Sequence, residues 1–171
     1  MKRFTSIAVG AVVLTLLLSA ISWAAPSYIV HADLVRSAAG TPLGPVCVPN
    51  SVFYPLEGVV VRAKVYDGQT GLPLDAAAIE ERGVKVQVTY GELTLDLHYG
   101  EHPPDPNAPA HDEYWTVLWI IPADFPAGVI PWTVHVTDAA GAHVDFEPIG
   151  QNIGIPALMV LPAVNGGAPD A

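Results

Sequence analysis

Three histidines in a proline-rich segment have the residue types and spacing that most directly suggest chemistry. They are His98, His102 and His111, and four carboxylates lie among or beside them: Glu101, Asp105, Asp112 and Glu113. Imidazole nitrogens combined with a carboxylate oxygen suit Zn²⁺ or Cu²⁺. The spacing matches no compact ligand motif, and loops of this composition are common on acidic surfaces. The segment therefore predicts either a copper or zinc site formed by the three histidines or a solvated loop.

The single cysteine, Cys47, allows a second kind of copper site together with His31. A blue-copper centre takes two histidines, one cysteine and a weak axial ligand such as methionine. Met159 is the only methionine besides Met1. Cupredoxins usually gather these ligands near the C-terminus, whereas Cys47 comes early in this chain, so the sequence disfavours this chemistry.

Cys47 has three further interpretations. A lone cysteine is most often a buried apolar side chain, and this is what we expect. In an oxidising compartment it could instead form a disulfide with another chain, which makes Cys47 a possible intermolecular thiol. A reactive thiol would need cationic neighbours.

The segment from Tyr114 to Ile121 is apolar on both faces of a predicted strand. One face carries Trp115, Val117, Trp119 and Ile121, and the other carries Tyr114, Thr116, Leu118 and Ile120. This pattern favours a central strand covered on both sides. The alternative is a strand with one face in the core and one face presented to a partner. Tyr114, Trp115 and Trp119 would then be the partner-binding residues.

The sequence contains no catalytic motif. It has no GxSxG, P-loop, dinucleotide fingerprint, CxxCH or HExxH pattern, and no two acidic residues stand out as an acid/base pair. We therefore expect a protein that is not an enzyme and needs no cofactor, with copper or zinc as the alternative.

The N-terminal residues 1–24 have the pattern of an export signal. Lys2 and Arg3 precede an uncharged apolar run, and Ser22 and Ala24 supply the small residues expected before a cleavage site. The run is shorter than the roughly 20 residues of a transmembrane helix, so we expect no stable membrane segment after cleavage. The predicted location is secreted or periplasmic, with anchoring by an uncleaved N-terminal helix as the alternative.

The charge of the chain narrows the choice of partner. Removal of Lys2 and Arg3 with the signal would take the formal net charge from −10 to −12. A nucleic-acid-binding protein needs a basic surface for the phosphate backbone, so nucleic acid is disfavoured. A protein or a component of the cell envelope is the expected partner.

Alternating apolar and polar residues predict an all-β fold. The clearest prediction is a hairpin in which residues 84–90 and 93–99 flank a turn at Gly91 and Glu92. Strands are also expected at residues 28–34, 59–67, 114–121, 130–138, 143–148 and 154–161. Between them, residues 74–82 could form one or two helical turns that begin at Asp75 and end at Gly83. The total is about seven or eight strands, with turns at the spacing of a β-sandwich.

Two segments carry a resemblance to known domains. The segment VVVRAKVYDGQTGLPL resembles the opening strand and turn of bacterial immunoglobulin-like and carboxypeptidase-regulatory-like domains. The segment IPADFPAGVIPWTVHVTDAAG resembles late strands of immunoglobulin-like and macroglobulin-like domains. The resemblance implies a single immunoglobulin-like antiparallel β-sandwich that binds or assembles without catalysis.

The expected organisation follows from these patterns. A signal peptide occupies residues 1–24, a lead-in with one short strand residues 25–57, the immunoglobulin-like sandwich residues 58–162 and a flexible tail residues 163–171. The expected function is that of an exported, acidic, non-catalytic module that binds a protein or envelope partner, either alone or as a subunit of an extracytoplasmic complex. The alternative is a periplasmic protein that binds or delivers copper or zinc through the histidine-rich loop.

Overall fold

The computed structural model describes residues 27–102, 112–149 and 158–163. Within these ranges the chain is mostly β, and its sheets are mostly antiparallel. The strands are β1 (Tyr28–Gly40), β2 (Val52–Phe53), β3 (Glu57–Asp67), β4 (Lys85–Tyr90), β5 (Leu93–Asp96), β6 (His98–His102), β7 (Asp112–Ile120), β8 (Gly128–Val129), β9 (Trp132–Thr137), β10 (His143–Phe146) and β11 (Met159–Val160). The predicted signal peptide, His111 and all but the first residue of the predicted tail lie outside the described residues.

The first sheet has the strand order β1-β3-β7-β6. Its centre is β3, in which Val59, Val61, Ala63 and Val65 are buried as their alternation predicts. β1 pairs with β3 from Tyr28 to Gly40, so the lead-in contributes a long strand rather than the short one expected from the sequence. A register shift between Arg36 and Gly40 lets this strand continue past the end of its regular pairing.

The second sheet has the strand order β10-β9-β4-β5. The predicted hairpin is confirmed, because Tyr90 pairs with Leu93 across the turn at Gly91, whose φ is 59°. The second hairpin strand is shorter than predicted. It ends at Asp96, buried Leu97 follows, and the chain then enters β6 of the first sheet.

A small third sheet, with the order β2-β11-β8, was not predicted. Gly128 and Val129 pair with β11 even though they directly follow the proline-containing corner. Pro126 and Gly128 disfavour a ladder over residues 123–128, and the pairing takes in only the last of these residues. The sequence signal is weak because the strands of this sheet have two residues each.

A single short helix, α1 (Ala76–Arg82), precedes β4 in the described residues. Asp75 caps its N-terminus by accepting a hydrogen bond from the backbone N–H of Ala78, and Gly83 ends it in the left-handed conformation. Both ends are where the sequence predicts them. None of the described residues forms a helix with the length and hydrophobicity needed to cross a bilayer.

Nearly all the buried apolar side chains of the two four-stranded sheets belong to one hydrophobic cluster. Tyr90 of the second sheet stacks on Trp119 of the first, with ring centroids 4.9 Å apart. At one end of the sheets, the Tyr28 hydroxyl donates a 2.7 Å hydrogen bond to Asp138, in the turn between β9 and β10. The apolar face that alternation predicts for each of these two sheets therefore packs against the apolar face of the other.

One carboxylate is fully buried at the edge of this core. Glu57 accepts hydrogen bonds from the backbone N–H groups of Leu43 and Tyr54, at 2.7 and 2.8 Å. The Arg36 Nε atom lies 2.7 Å from its Oε1, although its N–H is not aligned for a hydrogen bond. Glu57 thus joins the segment after β1 to the segment after β2.

Candidate functional site

The first sheet turns one side of its strands away from the core, and we call this side the outer face. It carries Ile29, His31, Asp33, Arg62, Lys64, Tyr66, Tyr114, Leu118 and Ile120. Strand alternation explains this composition, because each of these residues neighbours a core residue in sequence. The outer face therefore combines cationic, aromatic and aliphatic side chains on adjacent strands.

One end of the outer face contains a surface pocket of about 300 Å³. Its lining residues come from β1, β3, β7 and β10: His31, Ala32, Asp33, Arg62, Lys64, Tyr66, Tyr114 and Phe146. The Tyr114 ring forms part of its lining, with Lys64 Nζ at 4.8 Å and Arg62 Cζ at 5.6 Å from the ring centroid. Both distances are in the range of cation–π contacts.

The cations of the pocket are held by carboxylates. Arg62 donates hydrogen bonds to both oxygens of Asp33, and Lys64 forms an ion pair with Asp112. The hydrogen bond to Asp33 is the main cause of the raised pKa of Arg62, and the bond to Asp112 does the same for the pKa of Lys64. The pocket therefore presents two ion pairs of fixed position beside an aromatic ring.

The other end of the outer face is aliphatic. Leu118 is 45% exposed and Ile120 is 40% exposed, although both lie on the strand that we expected to be covered on both sides. That expectation is wrong for the described residues. Trp115 and Trp119 point into the core, at 6% and 9% exposed. Of the three predicted partner-binding residues, only Tyr114 contributes its ring to the outer face.

Cys47 is exposed, so the expectation of a buried thiol is wrong. It lies in the segment between β1 and β2 with a φ of 59°, and its N–H donates to the carbonyl of Arg36. Exposure is the condition that a disulfide with another chain requires, and that disulfide stays a prediction.

The described histidines of the predicted metal loop lie on β6. His98 pairs with Thr116 and His102 pairs with Asp112, four residues apart along one strand. At a rise of about 3.3 Å per residue, their Cα atoms are about 13 Å apart, which is at the limit of what two imidazoles can span around one ion. His111 lies outside the described residues, so the three-histidine site stays a prediction.

A different pair of histidines does converge with a carboxylate, on the solvent side of the second sheet. His135 Nδ1 lies 2.6 Å from Asp145 Oδ1, and His143 Nε2 lies 3.0 Å from the same oxygen. The pairing of β9 with β10 explains the contact, because His135 is directly opposite Asp145. We call these three residues the His-Asp cluster. In the described part of the chain it is the one group of three or more His, Cys, Asp or Glu side chains whose ligand atoms all lie within 4.8 Å of one another.

The environment keeps Asp145 ionised and His135 oriented. Partial burial acts to raise the pKa of Asp145, but hydrogen bonds and charge interactions with His135 and His143 outweigh it, and the pKa is lowered. The other nitrogen of His135, Nε2, lies 3.1 Å from the hydroxyl of Thr89 on β4. The carboxylate and the hydroxyl therefore hold this imidazole from both sides.

Thr89, His135 and Asp145 also follow the hydroxyl–imidazole–carboxylate order of a hydrolytic triad. Such a triad needs two donors directed at a developing oxyanion. Thr89 lies inside β4, where it is paired with Thr94 of β5 and with Thr133 of β9. Its backbone is therefore part of the sheet ladder, and the arrangement does not support acyl transfer.

Sequence reasoning missed the His-Asp cluster although a signal for it was present. His135 falls at an outward position of a strand predicted from alternation, and the turn from Asp138 to Gly141 follows it. Antiparallel pairing across that turn brings residues His143 and Asp145 back beside His135. The signal is weak because the members of the cluster are spread over two strands rather than gathered in one histidine-rich segment.

Comparison of the chain with protein-family models, with curated proteins and with solved structures found no match.

Proposed function

We propose that the chain is an exported, non-catalytic immunoglobulin-like β-sandwich module that binds a protein or another component of the cell envelope through its outer face. The observation that carries this proposal is the exposure of Leu118 and Ile120 on a strand whose other side fills the core. Exposed aliphatic side chains on adjacent positions of a regular sheet are typical of interaction surfaces. Ordinary solvent-facing strands are polar instead.

The charged end of the outer face supports the same proposal. Arg62, Lys64 and Tyr114 are residue types suited to the centre or rim of a protein interface, and they lie beside the aliphatic end on β3 and β7. Their pairing with Asp33 and Asp112 fixes their positions before a partner arrives, which reduces the entropy lost on binding. The apolar end would then supply affinity, and the charged end would fix the orientation.

The export and sandwich parts of the proposal rest on two further observations. The sequence of residues 1–24 has the three parts of a signal peptide. Two four-stranded antiparallel sheets share one core cluster, as the resemblance to immunoglobulin-like domains leads us to expect. The lack of any catalytic motif in the sequence supports a binding role.

Site-specific photo-crosslinking in the exported protein tests the proposal. A photoreactive residue placed at Leu118 should form an adduct with an envelope component, and mass spectrometry would identify that component. The matched control places the same residue at Leu93, a partly exposed leucine in the second sheet. We expect an adduct at Leu118 that the variant Ile120→Asp abolishes. Equal adducts at both positions, or none at either position for a protein that is monomeric in sedimentation, would contradict the proposal.

A further inference from the structure

We propose that the His-Asp cluster of His135, His143 and Asp145 is a binding site for a divalent transition metal ion of the Zn²⁺ class. The proposal goes beyond partner binding, since the cluster lies on the second sheet and shares no residue with the outer face. It also differs from the predicted histidine loop, whose described members His98 and His102 belong to β6.

The ligand set matches the chemistry of such ions. Two imidazoles and one carboxylate are the protein ligands of open zinc sites, where solvent occupies a fourth position. His143 and Asp145 are about half exposed, so a bound ion would be reached from solvent and would keep that fourth position open. Hard cations such as Ca²⁺ and Mg²⁺ prefer sites made only of oxygen, which this cluster does not offer.

Two of the three distances between ligand atoms are close to those that a bound ion imposes, and all three are within 4.8 Å. An ion bound at about 2.0–2.2 Å to each ligand keeps the ligand atoms roughly 3.3 Å apart in tetrahedral geometry. Asp145 Oδ1 now lies 2.6 Å from His135 Nδ1 and 3.0 Å from His143 Nε2. Binding would therefore replace the two contacts of the carboxylate with three metal–ligand bonds, and the carboxylate would move by several tenths of an ångström.

The hydroxyl of Thr89 gives the cluster the outer support that metal-binding histidines usually have. A metal on Nδ1 of His135 leaves the proton on Nε2, and Nε2 lies 3.1 Å from Thr89 Oγ1. Donation to this oxygen would fix both the tautomer and the ring orientation. The four residues come from three neighbouring strands, β4, β9 and β10, which hold them in register.

A competing explanation is a simple surface ion pair between protonated histidine and Asp145. The ion pair and the metal site differ in whether they need His143 and Thr89. An ion pair between His135 and Asp145 forms without either of them, whereas the metal site loses a ligand without His143 and an orienting partner without Thr89.

Titration with Zn²⁺ by calorimetry, and with Co²⁺ by visible absorption, tests the proposal on the whole exported protein. We expect one ion per chain and Co²⁺ absorption bands of tetrahedral intensity. Replacement of one ligand, in His135→Ala, His143→Ala or Asp145→Asn, should weaken binding more than the 10–100-fold typical of losing an outer-shell partner. Thr89→Val should weaken binding by about 10-fold.

The double variant His98→Ala/His102→Ala is the matched control, because it removes two histidines from the other sheet and should leave the affinity unchanged. Each variant is checked for an unchanged far-UV circular dichroism spectrum. No binding at millimolar Zn²⁺ would overturn the proposal, and so would equal affinity in His143→Ala and the unsubstituted protein. Loss of binding only in the control would assign the ion to the histidine loop instead. Crosslinking at Leu118 is independent of all these outcomes.

Discussion

Replacement of Glu57 by alanine should destabilise the fold more than any change to a surface ion pair. The side chain has no exposed area, and its loss leaves Arg36 with only 11% of its side chain exposed and no carboxylate beside it. Breaking a buried ion pair by removing one partner costs about 3–5 kcal/mol. The N–H groups of Leu43 and Tyr54 also lose their acceptor. We therefore expect a loss of about 4 kcal/mol in the free energy of unfolding.

Urea unfolding followed by tryptophan fluorescence measures this loss. With a urea dependence of about 2 kcal/mol per molar, the transition midpoint should fall by about 2 M. Asp112→Asn is the matched control, because it breaks the ion pair with Lys64 at an exposed position and should cost less than about 1 kcal/mol. The double variant Arg36→Met/Glu57→Leu should recover much of the loss, since neither charge remains buried.

A midpoint shift for Glu57→Ala no larger than that of Asp112→Asn would refute the reasoning. It would mean that water reaches Arg36 and the two N–H groups once the carboxylate is gone. A double variant as unstable as Glu57→Ala would also contradict it, because the cost would then come from the N–H groups of Leu43 and Tyr54, which lose their acceptor in both variants, rather than from an unpaired charge.

Three further outcomes are expected. Leu56→Asn should raise the free energy of unfolding by about 0.5–1 kcal/mol in the same urea assay, because Leu56 has a φ of 71° and asparagine tolerates that region better. The control is Leu72→Asn, at an exposed position without this strain, which should not raise the free energy of unfolding. Asp67 should contribute to acid stability, since hydrogen bonds from the Thr70 N–H, Arg82 and the Gln69 N–H lower its pKa to about 2. A lowered folded-state pKa gives stability that is present above the ordinary pKa and is lost as the pH falls through about 2, so thermal melts between pH 5 and 2 should be less pH-dependent in Asp67→Asn. N-terminal sequencing of the exported protein should begin at Ala25, and an intact N-terminus would refute cleavage after Ala24.

Regular alternation made the central strands predictable from sequence. In β4 and β9, and in β3 from Val59 to Val65, every second residue is apolar and buried, so both the element and its core face follow from the pattern. The ends of α1 were predictable for a similar local reason, because Asp75 and Gly83 each have a conformational preference that suits a helix terminus.

Features that depend on distant contacts were not predictable. Glu57 is buried because two N–H groups and Arg36 meet it, and nothing in its own segment indicates this. The two-residue strands of the third sheet exist through pairing alone. The exposure of Leu118 depends on whether another element covers the outer face, and the apolar sequence of the strand does not show this. The His-Asp cluster lies between these cases, because its members meet through the register of β9 with β10, and the turn that sets this register is visible in the sequence.

The switch of the chain from one sheet to the other at Leu97 has a consequence for folding speed. β5 and β6 are consecutive, yet β5 completes the second sheet and β6 pairs with β7 in the first, so both sheets share one short stretch of chain. β3 and β7 pair residues that are more than fifty positions apart. Such distant pairings must close large loops before they gain stability, which slows folding and prolongs the time that strand edges stay unprotected.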